Sequence, residues 1–343
     1  DSTLLPLSIE KRLRFRSGEH YEITQRDEII GRALFQAWLS MHPGLEEHKF
    51  SEEVFKDCIS LNDHSILQKK TRATIVANAY RSAADWACNE ANIFTKRQHK
   101  INSNSLNTDW KACQTIALMH DSVVLSLGPV KKYQRHFFEQ ARRPNVFYYG
   151  GHTPDELCRF VQATFRGAPS VANDYTAFDQ SQTGEAVVFE RLKMELLGIP
   201  QELIDLHVYI KTHINTPLGP LTCMRLTGEP GTYDANTDYN LAVLALLFNI
   251  TTETVLVSGD DSCINPIPPI RASWEGFKDN LELRFKIEIV DRPLFCGYFL
   301  GPLGAVRAPD ALFVKLILSE TQKTLHKTLD SYIMEFALGH SLG

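Results

Sequence analysis

With 343 residues, 43% of them hydrophobic and 22% charged, the chain is long enough to bury a sizeable core and to hold about two or three subdomains. A net charge of −5 argues against a generic nucleic-acid binder, whose electrostatic footprint is a strongly basic domain. Seven cysteines scattered singly, with no Cys-x-x-Cys pair, exclude a disulfide framework and a zinc site and predict reduced thiols in a cytosolic compartment.

The chain begins at Asp1 rather than Met, which fits a piece of a larger product, and no secretory or transit signal opens it. Its longest apolar run, Leu241 to Phe248, is far short of the ~20 residues of a membrane span. Neither repeats nor low-complexity tracts interrupt it. The first 165 residues read as mostly helical with loops, with amphipathic patterns over Ile29 to Leu39 and Thr74 to Ala91. From Lys96 to Arg143, nine Lys or Arg stand against three acids, so the acidic average hides a basic segment.

Val171 to Tyr175 predicts a buried strand, and Glu185 to Leu197 an amphipathic helix closed by Gly198 and Pro200. Asp174 then sits at the strand end and Asp179 just beyond the turn. A helix over Gln201 to Lys211 precedes a turn, Thr216 to Pro220, between two strand-like pieces. The loop Gly228 to Thr232 feeds a helix over Asn236 to Phe248. Thr254 to Ser258 and Ser262 to Ile264 flank a Gly-Asp-Asp turn, as a tight hairpin wants on local grounds. Beyond it come a helix (Ser273 to Asn280), a strand (Arg284 to Val290), a hairpin at Gly301 to Gly304, and two helices (Ala311 to Leu318, Leu325 to Leu338). Strands mixed with hairpins rather than strict βαβ units predict an α+β fold with helices on one sheet face.

Two acidic clusters carry the chemistry: Asp174-Tyr175-Thr176-Ala177-Phe178-Asp179 and Ser258-Gly259-Asp260-Asp261-Ser262. Carboxylates crowded together take up protons unless divalent cations make the ionised forms the stable ones, so the pair points to a metal-assisted phosphoryl-transfer site. Taken singly, the first cluster also fits a strand end with an acidic helix cap, and the second a plain hairpin turn. Between them, Arg225-Leu226-Thr227-Gly228-Glu229-Pro230-Gly231-Thr232 leads into a helix bearing Asn236 and Thr237. Such a loop lets backbone approach a phosphate or sugar, though an ordinary helix start looks alike. Upstream, Phe94 to Gln98 and Lys111 to Thr115 supply cations for a triphosphate, or else a solvated basic face.

The order of these segments, with Leu294-Phe295-Cys296-Gly297-Tyr298 after them, resembles that of positive-strand viral RNA-dependent RNA polymerases of the alphavirus-like supergroup. The strings Asp174 to Gly184 and Leu221 to Asn240 are most similar to the tymovirus type. The resemblance runs from about Phe94 to the end and leaves the first ninety residues without a motif. It implies a right-hand polymerase fold: an antiparallel-sheet palm over 170–300 with a fingers insertion near 198–225, largely helical fingers with an N-terminal extension over 1–169, and a partial thumb over 301–343. Asp174, Asp260 and Asp261 become the ligands of two Mg²⁺ or Mn²⁺ ions. Asp179 and Asn236 become readers of the ribose 2′-hydroxyl, with Thr232 beside them. Thr227, a Thr where related enzymes commonly carry Ser, and Gly228 line the nucleotide site. Lys96, Arg97 and Lys111 hold the triphosphate, and Lys286 gives a proton to the leaving pyrophosphate.

The implied function is template-directed RNA synthesis from ribonucleoside triphosphates in replication of a positive-strand genome. The implied partners are the RNA template, the nascent strand and other viral replication proteins, in membrane-associated complexes of the host cytoplasm reached only through those proteins. Three rival readings remain distinguishable. A reverse transcriptase carries an aromatic residue ahead of the Asp pair and a bulky side chain where Asp179 stands. A nuclease or phosphatase has no need of the Thr-Gly loop, and a non-catalytic RNA scaffold tolerates loss of all three aspartates.

Overall fold

The structure is a computed structural model, and it describes residues 4–68, 87–96 and 112–343. Among them the strands are β1 (Ala91–Thr95), β2 (Thr115–Met119), β3 (Val146–Tyr148), β4 (Ser170–Thr176), β5 (Asn215–Thr216), β6 (Gly219–Pro220), β7 (Thr254–Ser258), β8 (Asp261–Asn265), β9 (Arg284–Val290), β10 (Leu294–Phe295), β11 (Tyr298–Gly301) and β12 (Gly304–Arg307). Helices alternate with them in the α+β arrangement that the sequence pattern predicts, but they are not confined to one sheet face as expected, because both faces of the main sheet are apolar enough to need cover. The chain divides into two compact units: residues 1–142, 177–235 and 277–284 form the first, and 143–176, 236–276 and 285–343 the second.

The first unit is built on long helices. Thr24 starts the Gln25–Ser40 helix with a reciprocal cap, its hydroxyl accepting from the Asp27 N–H while the Asp27 carboxylate accepts from the Thr24 N–H. This helix packs on the Gly184–Leu196 helix, and Gly31 is the reason they come so close. A Cβ there would lie 2.6 Å from Val188 Cβ, a distance no side chain tolerates. Trp38, fully buried, gathers His42, Phe138 and Phe189 around its ring. A second apolar cluster joins Leu13, Ala117, Val123, Ile210, Leu221 and Met224 beneath the antiparallel pair β1–β2. That pair was not foreseen: the expectation of helix and loop through this region fails there, because its two strands are twenty residues apart in sequence and no short hairpin turn links them in the pattern. The helix expected over Thr74 to Ala91 lies mostly outside the described residues, and at Ala91 the chain is already strand β1.

Ionised side chains are also buried in this unit. Arg225 and Lys211 pair with Glu190 and Glu229, all four less than a tenth exposed. Against Glu190 lies His207, 3.8 Å away. Burial, then the charge of Lys131, pushes the His207 imidazole down to about 4 against the pull of Glu190, so it is neutral in the folded chain. An unfolded histidine titrates near ~6.5 and takes up a proton that the folded one refuses. Stability is therefore fully present above that value and is lost as pH falls from about 6.5 towards about 4, by on the order of 3 kcal/mol. Urea midpoints measured between these limits test this, and His207→Gln should flatten that part of the profile.

The second unit centres on a five-stranded sheet with the order β3-β7-β8-β4-β9. β7 and β8 form a hairpin with Ser258 opposite Asp261, so the turn is Gly259-Asp260 alone and Asp261 is already strand. Gly259 takes a positive φ of 59°, which a two-residue hairpin turn requires and glycine adopts freely. One sheet face meets the helix that begins at Thr232 and ends at Leu247, through hydrogen bonds from the Tyr148 and Tyr175 hydroxyls to Asp238 and Asn240. The other is covered by the Pro154–Thr164 helix and the small β10–β11–β12 sheet, around Leu157, Val161, Leu256, Cys263, Phe295 and Leu300. The Pro309–Thr321 and Leu329–Ser341 helices follow, joined by the Phe313 and Phe336 rings at 5.0 Å.

Candidate active site

In the second unit Asp174 and Asp261 stand on neighbouring strands, β4 and β8. β4 runs antiparallel to β8 with Val171 opposite Ile264. Continued three residues along each strand, that register sets Asp174 across from Asp261, with Asp260 next in the turn. Directly opposed residues of an antiparallel pair share a face with Cα atoms ~4.5–5.5 Å apart, so the carboxylates of positions 174 and 261 lie on one side of the sheet. Asp174 and Asp260 are exposed, and among the described residues neither carboxylate is engaged in a hydrogen bond or ion pair. Asp261 is half-buried and accepts a hydrogen bond from the Cys296 N–H at 2.7 Å. Burial raises its pKa, and the neighbouring charge of Asp260 adds to the rise against the Cys296 N–H. The donors that Asp174, Asp260 and Asp261 offer are all hard oxygen, which suits Mg²⁺ or Mn²⁺. Among the described residues no group of three or more His, Cys, Asp or Glu is gathered closely enough to hold an ion unaided.

Polar groups that sequence reasoning passed over hold this turn in place. Asn240, fully buried, donates to the Gly259 and Asp261 carbonyls at 3.0 and 3.3 Å and accepts from the Tyr175 hydroxyl at 2.7 Å. The Thr237 hydroxyl accepts from the Gly259 N–H. The available signal was a run of polar residues, Asn236 to Asn240, inside an otherwise apolar helix, since polar groups buried on a helix must find partners. Asn240→Ala strands two carbonyls and a hydroxyl, and is expected to cost about 2–3 kcal/mol. Incorporation should fall about ten-fold or more as the turn carrying Asp260 loosens, read from thermal unfolding alongside single-turnover kinetics.

Chains resembling this one confirm the context. A sequence model described as RNA-dependent RNA polymerase matches residues 48–334. The chain belongs to the RNA-dependent RNA polymerase family. It is 51% identical to the non-structural replication polyprotein of Erysimum latent virus, over all of this chain and 20% of that protein. The polyprotein of turnip yellow mosaic virus is also 51% identical, over all of this chain and 19% of its own length. The RNA replication protein of potato virus X (strain CP) is 33% identical over 99% of this chain and 24% of its own. The chain thus spans about a fifth of the tymoviral polyproteins it matches.

The remaining candidate residues singled out in the sequence fall in both units. In the first, Asp179 lies in a 3₁₀ turn, Phe178–Ser181, entered through Ala177 at a positive φ of 52°, and its carbonyl accepts from the Arg225 N–H at 2.9 Å. Thr227 accepts from the Gln114 amide at 3.2 Å and its carbonyl from the Ala117 N–H at 2.7 Å. Gly228 follows at φ 108°, against the Ala117 carbonyl, where a Cβ has no room. The Thr232 hydroxyl donates to the Leu226 and Glu229 carbonyls, closing the loop on itself at the helix start. Lys96 is exposed, its N–H tied to the Gln114 carbonyl. Arg97 and Lys111 lie outside the described residues. In the second unit Asn236 is half-buried, and Lys286 stands out on β9 with its side chain 78% exposed, 3.7 Å from Glu288.

Proposed function

We propose that this chain catalyses template-directed synthesis of RNA from ribonucleoside triphosphates in replication of a positive-strand viral genome. The observation that carries the reading is the match of residues 48–334 to an RNA-dependent RNA polymerase model, supported by the pairing of β4 with β8, the strands that bear Asp174 and Asp261. In the reaction the 3′-hydroxyl oxygen of the nascent strand attacks the α-phosphorus of the incoming nucleotide. The bond to pyrophosphate breaks and the hydroxyl proton is lost. Asp174 and Asp260, with Asp261 beside them, hold two Mg²⁺ or Mn²⁺ ions, which when bound supply charge neutralisation and a lowered hydroxyl pKa. Asp179 and Asn236, with Thr232 nearby, recognise the ribose 2′-hydroxyl; Thr227 and Gly228 shape the loop at the nucleotide. Lys96, Arg97 and Lys111 neutralise the triphosphate, and Lys286 protonates the departing pyrophosphate.

On this reading residues 170–300 serve as the palm, the segments before and inserted into it as fingers, and 301–343 as the start of a thumb. The substrates are template, nascent strand and ribonucleotides, and other replication proteins bring the chain to membrane-associated complexes in the host cytoplasm. No helix of the described residues is long and apolar enough to cross a membrane. The test is incorporation of labelled ribonucleotides on RNA templates of different sequence. The reading requires product complementary to each template and abolished by a chelator; incorporation that ignores the template removes it.

A further inference from the structure

The Arg225 side chain does far more than close a loop. Its Nη1 donates to Glu190 at 2.9 Å and to Glu229 at 2.6 Å, and Nε and Nη2 both reach the Gln182 side-chain oxygen, at 3.3 and 3.1 Å. Lys211 completes the cluster from the Gln201–His213 helix, its Nζ donating to both Glu229 oxygens and to the Met224 carbonyl at 2.7 Å. Burial by itself would raise the Glu229 and Glu190 carboxyls, but Lys211 and Arg225 hold Glu229 below the usual range, and Arg225, with Lys131 adding to it, does the same for Glu190. Buried ion clusters of this kind stabilise no better than apolar packing of the same volume; what they fix is one arrangement of the parts they join. Here those parts are the Asp179 turn and the 224–232 loop. The Arg225 N–H is bonded to the Asp179 carbonyl, its side chain to Gln182 just past the same turn, and Thr227 stands two residues along the backbone.

We propose that this buried network is the positioning device for sugar selection, setting Asp179 and the Thr227–Thr232 loop at the spacing that accepts a ribose and disfavours a deoxyribose. It rests on the reading above that Asp179 recognises the 2′-hydroxyl. Arg225, Glu229, Lys211 and Gln182 touch no substrate in this account; they act through Asp179 and the loop. Networks of this sort fail by loosening, and a loosened site loses discrimination that depends on a bonded hydroxyl.

The experiment measures kcat and KM for a ribonucleotide and its deoxy counterpart in Glu229→Gln, Gln182→Met and Asp179→Ala. Glu229→Gln leaves Arg225 short of a counter-charge, whereas Gln182→Met removes a neutral tie and keeps the charge balance, so it reports even where the first variant folds poorly. The expected result is a ribose preference reduced about five-fold or more in Gln182→Met and Glu229→Gln, mostly through a raised KM for the ribonucleotide. A purely structural role lowers kcat for both sugars together and leaves their ratio fixed. If Asp179→Ala changes the ratio while the network variants do not, the inference is overturned and the sugar-reading role of Asp179 stands. If no variant changes it, both fall.

Discussion

Asp174→Ala is expected to lower the single-turnover rate of nucleotide incorporation by about a thousand-fold or more, because an ion ligand that acts as part of a unit takes the whole of the unit's contribution with it. The same change should hardly alter stability. Asp174 is exposed at the end of β4, its carboxylate engages no hydrogen bond or ion pair among the described residues, and exposed substitutions of that kind stay within about 0.5 kcal/mol. Rate and unfolding must be measured on the same preparation. A rate within a few-fold of the parent would remove Asp174 from the reacting centre.

Trp38→Ala is expected to do the reverse, destabilising the first unit by about 3–5 kcal/mol. Trp38 is wholly buried where the Gln25–Ser40, Asp121–Ala141 and Gly184–Leu196 helices converge, with the Phe138 ring edge-on at 4.7 Å, His42 at 4.2 Å and Lys193 Nζ 5.7 Å from the ring centre. Truncation leaves a cavity that rigid helices on three sides cannot close, and removes one of the two rings, Trp38 and Phe189, that face the Lys193 ammonium. The midpoint of urea unfolding should fall accordingly. A loss under about 1 kcal/mol would mean that the helices relax into the space.

Much of this was legible in the sequence because it is local. Asp174 and Asp260 were identifiable because each sits in a short apolar strand pattern ended by turn residues, and the Glu185 to Leu197 and Gln201 to Lys211 helices carry their own period and stop signals. What failed to show is non-local. The β1–β2 pair joins strands about twenty residues apart, and the helix expected from Asn236 begins at Thr232, because the Thr232 hydroxyl finds carbonyl partners only once the loop has closed. Nor does periodicity say which polar residue of a buried helix supports a turn, so Asn240 and Thr237 stayed unassigned as supports for Asp260. Asp261 was expected within the turn; the hairpin register makes it the first residue of β8, where the Cys296 N–H already occupies one of its oxygens.

The most direct measurement is incorporation of a labelled ribonucleotide on a defined RNA template as Mg²⁺ is titrated, the parent chain beside Asp260→Asn. The account predicts product that rises with the metal and follows the template for the parent, and a rate at least about a thousand-fold lower for the variant at every concentration. Incorporation by Asp260→Asn at a rate comparable to the parent's would contradict it, since the exposed carboxylate at the hairpin turn would then have no part in the chemistry.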